Sequence, residues 1–414
     1  MIAERTALPA QIGLSSARLR VVDSVIQSYI DRGVIAGAVT LAGRTEQVGH
    51  LGAYGHMDLE SARAMRPDAI FRLASMTKPV VAVAVLMLFE EGELLLNDAV
   101  SKYIPAFNNL QVAVANPTLP AYVAANVPSG VYHLVPAERA ITIRDLLTHT
   151  SGLGSATVGL AFEQATALLK ELKPTDTLAD AVPKMASVPL SFQPGSMWEY
   201  SGAFGFDTLG HIVEVISGRT LWEFFSERIF EPLGIRDTFF HVPPERLSEV
   251  PVVYERGPNG LQPGAPSGIL SFSTAPGACY MSGGGGLAGT AEDYARFALM
   301  LASGGRPLLS RHTVALMASN HIGQLAYAPM GPDLRGYRFG LGVRVLDDPA
   351  EGSTLASRGT FGWAGAFGTN SWVDPVERLV GLLLIQRMFA NPPDQELRTL
   401  WPKFQTAIYQ ALDE

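Results

Sequence analysis

The sequence predicts an α+β fold in which one mixed domain is interrupted by a largely helical insert. Three observations carry this. Strand-like segments sit near both ends of the 414-residue chain. The middle reads as short helices separated by proline-rich loops. One apolar run, Val80 to Phe89, has the character of a helix buried through the middle of a domain. The expected division gives residues 1–95 and 301–414 to the mixed domain and residues 96–300 to the insert.

Each element follows from local pattern. Ser15 is placed to cap a helix running to about Arg32, with Leu19, Val22, Ile26 and Ile30 at helical spacing and Gly33 as its stop. Strands near Ile35–Leu41 and Gln47–Tyr54 are separated by Gly43 and Arg44 and read as a hairpin. The valine content of Val80–Phe89 is compatible with a strand. Its continuation through Glu90 and Glu91 to Gly92, and its alanine, leucine and methionine, favour a helix. Pro79 suits the first turn, where few backbone bonds are lost.

From Glu93 to about Ser271 short helices alternate with loops such as the proline-rich Asn116–Val127. Thr142–Leu153 reads as a short helix ending near Ser151–Gly152, with two more at Leu209–Ile216 and Leu221–Ile229. Thr290 can cap a helix that ends near Gly304. Strands are expected at Phe339–Val345, Gly368–Val373 and Leu379–Gln386, the last two joined by a turn at Asp374 and Pro375. A final helix covers about Asp394–Leu412, and no internal repeat is visible.

Composition narrows the function. At 47% hydrophobic the chain can bury at least one large core. Only 17% of it is charged and the net charge is -8, which argues against the basic surface of a nucleic-acid or anionic-membrane binder. The single cysteine, Cys279, rules out an internal disulfide and a multi-cysteine metal site. The start, MIAERTALPA, lacks the apolar core of a signal peptide. The run Val80–Phe89 is too short to span a bilayer. A soluble, cytoplasmic protein is expected.

Lys78 is one of six lysines, and it stands three residues after Ser75 at the head of the apolar run. On a helix these two positions share a face, about 5–6 Å apart at Cβ. Burial disfavours a charged amine. A neutral amine can take the serine proton and create a nucleophile for an acyl carbon. The helix N-terminus adds a field that favours negative charge. Spacing alone leaves a second option open: a surface lysine whose head extends into water.

The stretch FRLASMTKPV, Phe71–Val80, resembles the serine-bearing element of the class C beta-lactamase-like superfamily, which also holds penicillin-binding DD-peptidases and family VIII carboxylesterases. ITIRDLLTHTSGL, PGSMWEYSGAFGFDTLGHIVEVISG, EPLGIRDTFF and GGGGLAGTAEDYARFALML resemble further segments of those esterases, so the likeness covers most of the chain. It implies a serine beta-lactamase/penicillin-binding-protein-like fold: an antiparallel sheet flanked by helices and built from both chain ends, plus a mostly helical domain.

The resemblance also implies roles for particular residues. The family's second element is Tyr-x-Asn. Here EYSGAF makes Tyr200 the match, with Gly202 where asparagine often stands. A phenol held near Lys78 can relay a proton. The third element, Lys-Thr-Gly, is replaced in GTFGWAGAFGTNSW by Trp363, Ala364 and Gly365, similar to the Trp-x-Gly form of family VIII esterases. An indole in place of a carboxylate-anchoring cation implies a pocket for neutral, apolar groups. Gly365 implies that substrate approaches the backbone closely. The implied oxyanion hole is formed by the amides of Ser75 and Ala366.

The expected reaction is hydrolysis of short-chain carboxylic esters through an acyl-enzyme on Ser75, with a small-molecule ester as the partner and no cofactor. Three alternatives stay open here: beta-lactam hydrolysis, chiefly of cephalosporins; acyl transfer to an alcohol or amine; and a non-catalytic penicillin-binding-like protein. A Ser-His-Asp hydrolase is disfavoured because no G-x-S-x-G pattern is present. His149 in LLTHTSGL reads as a structural, hydrogen-bonding histidine. Gly283–Gly286 lacks the lysine of a P-loop and the spacing of a dinucleotide loop, and reads as a flexible turn beside the site. No HExxH motif or compact acidic and histidine cluster suggests a metal.

Overall fold

Apolar segments from opposite ends of the chain meet in one sheet. The computed structural model describes residues 6–115, 132–154, 160–325, 335–388 and 395–413, so the expected loop Asn116–Val127 lies outside the described residues. Strands β1 (Gly37–Arg44), β2 (Gln47–Asp58) and β3 (Arg63–Ala64) come from the first part of the chain. Strands β4 (Tyr337–Phe339), β5 (Arg344–Leu346), β6 (Phe361–Gly362), β7 (Asn370–Asp374) and β8 (Leu379–Leu384) come from the last. They form an eight-stranded sheet in the order β4-β5-β6-β7-β8-β1-β2-β3. Every pairing is antiparallel. The two chain ends join where β1 lies against β8, from Val39 opposite Leu384 to Arg44 opposite Leu379.

Six helices matter for the site: α1 (Ser16–Asp31), α2 (Thr77–Glu90), α3 (Ile143–Leu147), α4 (Phe204–Ser217), α5 (Ala291–Ala302) and α6 (Gln395–Tyr409). Both faces of the sheet are covered, which is why β8 reads as the unbroken run LVGLLL. Val39, Leu41, Leu382 and Leu384 join a core with α2 and α5. Ala38, Ala42, Leu379 and Leu383 join a second core with α1 and α6. α5 packs on β1, β7 and β8 although all but its last two residues lie on the insert side of the expected boundary at residue 300. α2 packs against α4, and α3 also packs against α4. Among the described residues, no helix is long and apolar enough to cross a membrane.

Several expected elements are reshaped by local backbone demands. Ser15 caps α1 by accepting from the Arg18 amide at 3.4 Å, but Tyr29 rather than Ile30 completes the buried stripe. The β1–β2 turn falls at Thr45 and Glu46, both left-handed with φ of 51° and 70°, instead of at Gly43 and Arg44. Left-handed residues at both turn positions match the twist of paired strands. Gly43 stays in β1 because a Cβ there would press on the Gln47 carbonyl and Leu299. The single strand expected at Phe339–Val345 is the β4–β5 hairpin, with Phe339 opposite Arg344 and Gly342 turning at φ 77°. The helix expected to reach Ser151 stops at Leu147, and His149 then takes a left-handed φ of 57°. Leu221–Phe225 continues through a π turn, Ser226–Phe230, to Leu233.

Candidate active site

Ser75 sits on a single 3-10 turn, Ala74–Met76, that leads directly into α2. The residue before it, Ala74, is left-handed at φ 47°. A non-glycine residue holds that conformation only where its surroundings over-determine it. The Thr77 hydroxyl donates to the Ala74 carbonyl at 2.7 Å and accepts from the Leu287 amide at 3.1 Å. The Tyr294 hydroxyl donates to the Met76 carbonyl at 3.1 Å. The turn is fixed from both sides, and Ser75 remains half-buried at the edge of a cavity.

Lys78 lies one turn deeper and is 0% exposed, which removes the water-seeking option. Its Nζ donates to Ser75 Oγ at 3.2 Å, to the Gly202 carbonyl at 2.7 Å and to the Gly284 carbonyl at 2.6 Å. Among the described residues it has no carboxylate partner. The Tyr200 hydroxyl donates to the same Ser75 oxygen at 2.7 Å. Its ring centroid is 4.9 Å from Nζ. One oxygen therefore receives two donors, from residues 3 and 125 positions away along the chain.

The carbonyls that hold Lys78 depend on small residues. A Cβ at Gly284 would stand 2.8 Å from Ala203 Cα, so only glycine lets the two main chains close around the amine. Gly283 and Gly286 are equally crowded, against the Phe206 carbonyl and the Ser282 backbone. The GGGG stretch is a turn beside the site, as expected, but a buried and closely packed one. Gly202 is different: it is exposed, and a Cβ there would meet nothing within 4 Å, so space remains where the family places asparagine.

Asp207 on α4 anchors this loop and carries no signal of its own in the sequence. It accepts from the Gly284 amide at 2.8 Å, the Ser282 hydroxyl at 2.7 Å and the Tyr280 hydroxyl at 2.7 Å. Burial pushes its carboxyl above the ordinary range, opposed by these three donors and by the charge of Lys78.

The opposite wall is the strand-like segment Trp363–Ala366. Gly365 donates to the Thr369 carbonyl at 2.8 Å, and the Thr369 hydroxyl donates to the Leu73 carbonyl at 3.2 Å. A Cβ at Gly365 would clash with that Leu73 oxygen and with the Thr369 hydroxyl. Its glycine is required first by this close approach of two protein segments. Trp363 is only 2% exposed, so it backs the site more than it floors it. Its ring lies 5.4 Å from that of Tyr200 and 5.2 Å from that of Phe339.

Ser75, Tyr200 and Trp363–Ala366 line one cavity of about 420 Å³, a size typical of small-molecule sites. Lys78 lies beneath it. The far end is built by Tyr337, Arg344, Asn370, Trp401 and Gln405. Arg344 is 8% exposed and donates to Asn370 Oδ1 at 2.9 Å. Its guanidinium lies 5.5 Å from the Tyr337 ring and 5.4 Å from the Trp401 ring. Sequence reasoning missed this cation, although one arginine inside the apolar FGLGVRVL was the available signal. Among the described residues, no group of histidine, cysteine and acidic side chains is arranged to hold a metal ion.

His149 is buried behind Tyr200, with ring centroids 4.7 Å apart. Burial, reinforced by the Lys78 charge, holds its imidazole well below the ordinary range and so neutral.

The beta-lactamase family profile matches residues 22–404. Esterase EstB of Burkholderia gladioli is 33% identical over 400 residues, covering 91% of this chain and 92% of that protein. An uncharacterized protein of Mycobacterium tuberculosis is 34% identical over 409 residues, covering 94% of this chain and 97% of its own. Among solved structures, EstCE1, described as a hydrolase with promiscuous acyltransferase activity, superposes with a TM-score of 0.78 at 27% identity. It covers 95% of this chain and 99% of its own. With its fold, its serine–lysine–tyrosine geometry and matches of this length in agreement, the chain belongs to the beta-lactamase family of serine hydrolases.

Proposed function

We propose that this protein is a carboxylesterase that hydrolyses short-chain esters through an acyl-enzyme on Ser75. The observation that carries the reading is the convergence of Lys78 Nζ and the Tyr200 hydroxyl on Ser75 Oγ, at 3.2 Å and 2.7 Å, at the mouth of a substrate-sized cavity. Similarity to Esterase EstB across nearly the whole chain supports the ester as substrate class.

The steps follow from that geometry. As arranged, both neighbours donate to Oγ, so attack proceeds when one of them is in its basic form and accepts the serine proton. Oγ then bonds to the ester carbonyl carbon. The amides of Ser75 and Ala366 receive the oxyanion. The Lys78–Tyr200 pair returns the proton to the departing alkoxide, and alcohol leaves. Water loses a proton to the same pair, attacks the acyl carbon and releases the acid, restoring Ser75. The charge of Lys78 favours each anionic state; among the described residues it is ion-paired with no carboxylate, although it also acts on the buried Asp207.

The test is covalent labelling. Treatment with a slow ester or a phosphonate, followed by peptide mass spectrometry, is expected to place one adduct on Ser75. Ser75→Ala is expected to abolish both labelling and turnover with the fold intact. An adduct on another serine overturns the assignment.

A second reading, acyl transfer to an alcohol, is favoured by one observation: the cavity of about 420 Å³ leaves space beside a short acyl group. The acyltransferase activity ascribed to EstCE1 points the same way. Partition of one acyl-enzyme between water and added alcohols measures its share.

A further inference from the structure

His149 touches the chain of Tyr200 at two points. Its carbonyl accepts from the Glu199 amide at 3.1 Å, and its Nδ1 accepts from the Ser201 amide at 3.2 Å. The residues on either side of Tyr200 are thus held by one histidine, through main chain and side chain. Because Nδ1 accepts, the ring proton sits on Nε2. Nε2 is buried and has no hydrogen-bond partner among the described residues. His149 is also left-handed at φ 57°, where a β-carbon is strained. A residue chosen only to fill this aromatic core, among Trp198, Phe206, Phe339 and Trp363, has no need of an orphaned donor in a strained backbone. The acceptor at Nδ1 gives both a purpose.

We propose that His149 is a positioning residue for Tyr200, gripping the main chain on both sides of it so that the phenol stays on the Ser75 hydroxyl. This rests on the reading of Tyr200 as part of the proton relay. Substrate does not touch the imidazole; its effect passes through the 199–201 segment. The ring must also stay neutral, since a proton on Nδ1 would face the Ser201 amide with a second donor.

A double-mutant cycle tests this with a soluble short-chain ester. His149→Phe keeps an aromatic ring and removes the acceptor. It is expected to lower kcat about 10–100-fold, the scale of a misplaced catalytic group, with KM changed by less than about threefold. His149→Asn restores an acceptor and tolerates the left-handed backbone, and is expected to recover most of kcat. In a Tyr200→Phe background, His149→Phe is expected to cost less than about threefold, because the group it positions is gone. Additive losses overturn the proposal, as does an Asn variant no better than Phe in a folded protein. Where His149→Phe does not fold, His149→Ala takes its place in the cycle. Full turnover by Tyr200→Phe alone would sink the relay itself, a result distinct from additivity.

Discussion

Two buried charged centres in this molecule solve the same problem in opposite ways. Asp145, at the start of α3, is 5% exposed and meets a full set of donors. Arg139 binds it through two nitrogens at 2.6 and 2.9 Å, and the Thr142 amide, Thr142 hydroxyl and Thr150 hydroxyl donate at 2.8, 2.8 and 3.2 Å. Burial pushes its carboxyl up, but Arg139 and Thr142 outweigh this and hold it below the ordinary range. Lys78 meets two carbonyls and a hydroxyl, all neutral. A charge answered by an opposite charge is locked in its ionised form and serves the fold. A charge answered by neutral dipoles has no ion pair to hold it to the fold and is left facing the serine.

The comparison breaks most visibly at Lys78. Lys78→Met keeps length and apolar bulk. It is expected to reduce kcat by about 10²–10⁴-fold, the usual contribution of a positioned acid–base group. Stability is expected to change by less than about 2 kcal/mol, because two carbonyls lose a donor while a buried cation is relieved. Ester kinetics beside thermal melting decide it. A variant that unfolds without losing specific activity would place Lys78 with Asp145, on the structural side.

Asp145→Asn is the converse, and its effect is smaller. It removes a capping carboxylate and the Arg139 pair, and is expected to cost about 2–3 kcal/mol of stability while kcat stays within about threefold. The pH dependence has a definite sign. A carboxyl held low in the fold contributes stability that is present above its unfolded value, about 4. That contribution is lost as pH falls through the folded value. Urea melts of the parent protein are expected to weaken below about pH 4, and Asp145→Asn to flatten that slope. An unchanged slope would show that the pair contributes nothing to acid sensitivity.

These two centres were not equally legible. The Ser75–Lys78 register follows from helical spacing and the apolar run, but spacing left a water-facing lysine open, and only the fold shows the amine buried. Tyr200 and Trp363 emerged only through likeness to a family, since an isolated tyrosine or tryptophan reads as core. The partners of Lys78 were invisible because main-chain carbonyls have no letter in a sequence. Asp207 lay ahead of the expected helix Leu209–Ile216 and drew no reading; the helix in fact begins at Phe204, and only the folded loop shows Asp207 holding Gly284. The crowding at Gly283–Gly286 and the left-handed backbone at Thr45, Glu46, Ala74 and His149 are tertiary decisions. Propensity does not foretell them. The strands of β7 and β8 were legible because both faces are buried, whereas the two-residue β6 is too short to carry a pattern.

The smallest expected effect concerns the part of the site that neither centre governs. Under the proposed mechanism Lys78 governs reactivity and Asp145 stability, while the cavity proposed for the acyl group has an apolar wall that includes Leu383, Ile385, Leu397 and Leu400. Each methylene buried there contributes about 0.8 kcal/mol, close to a fourfold gain in kcat/KM, until the space is filled. We expect kcat/KM to climb over acyl chains of about two to six carbons and to fall for longer ones, since part of the 420 Å³ must also take the alcohol and Arg344 makes the far end polar. The series is run below micelle-forming concentrations, with one leaving group throughout. Lys78→Met is expected to shift the whole curve down without moving its optimum, which would separate reactivity from fit. An optimum at about twelve carbons or more would overturn the short-chain reading. An optimum that moves with the lysine would show that the charge also shapes the pocket, and that the division between the two centres is less clean than their contacts imply.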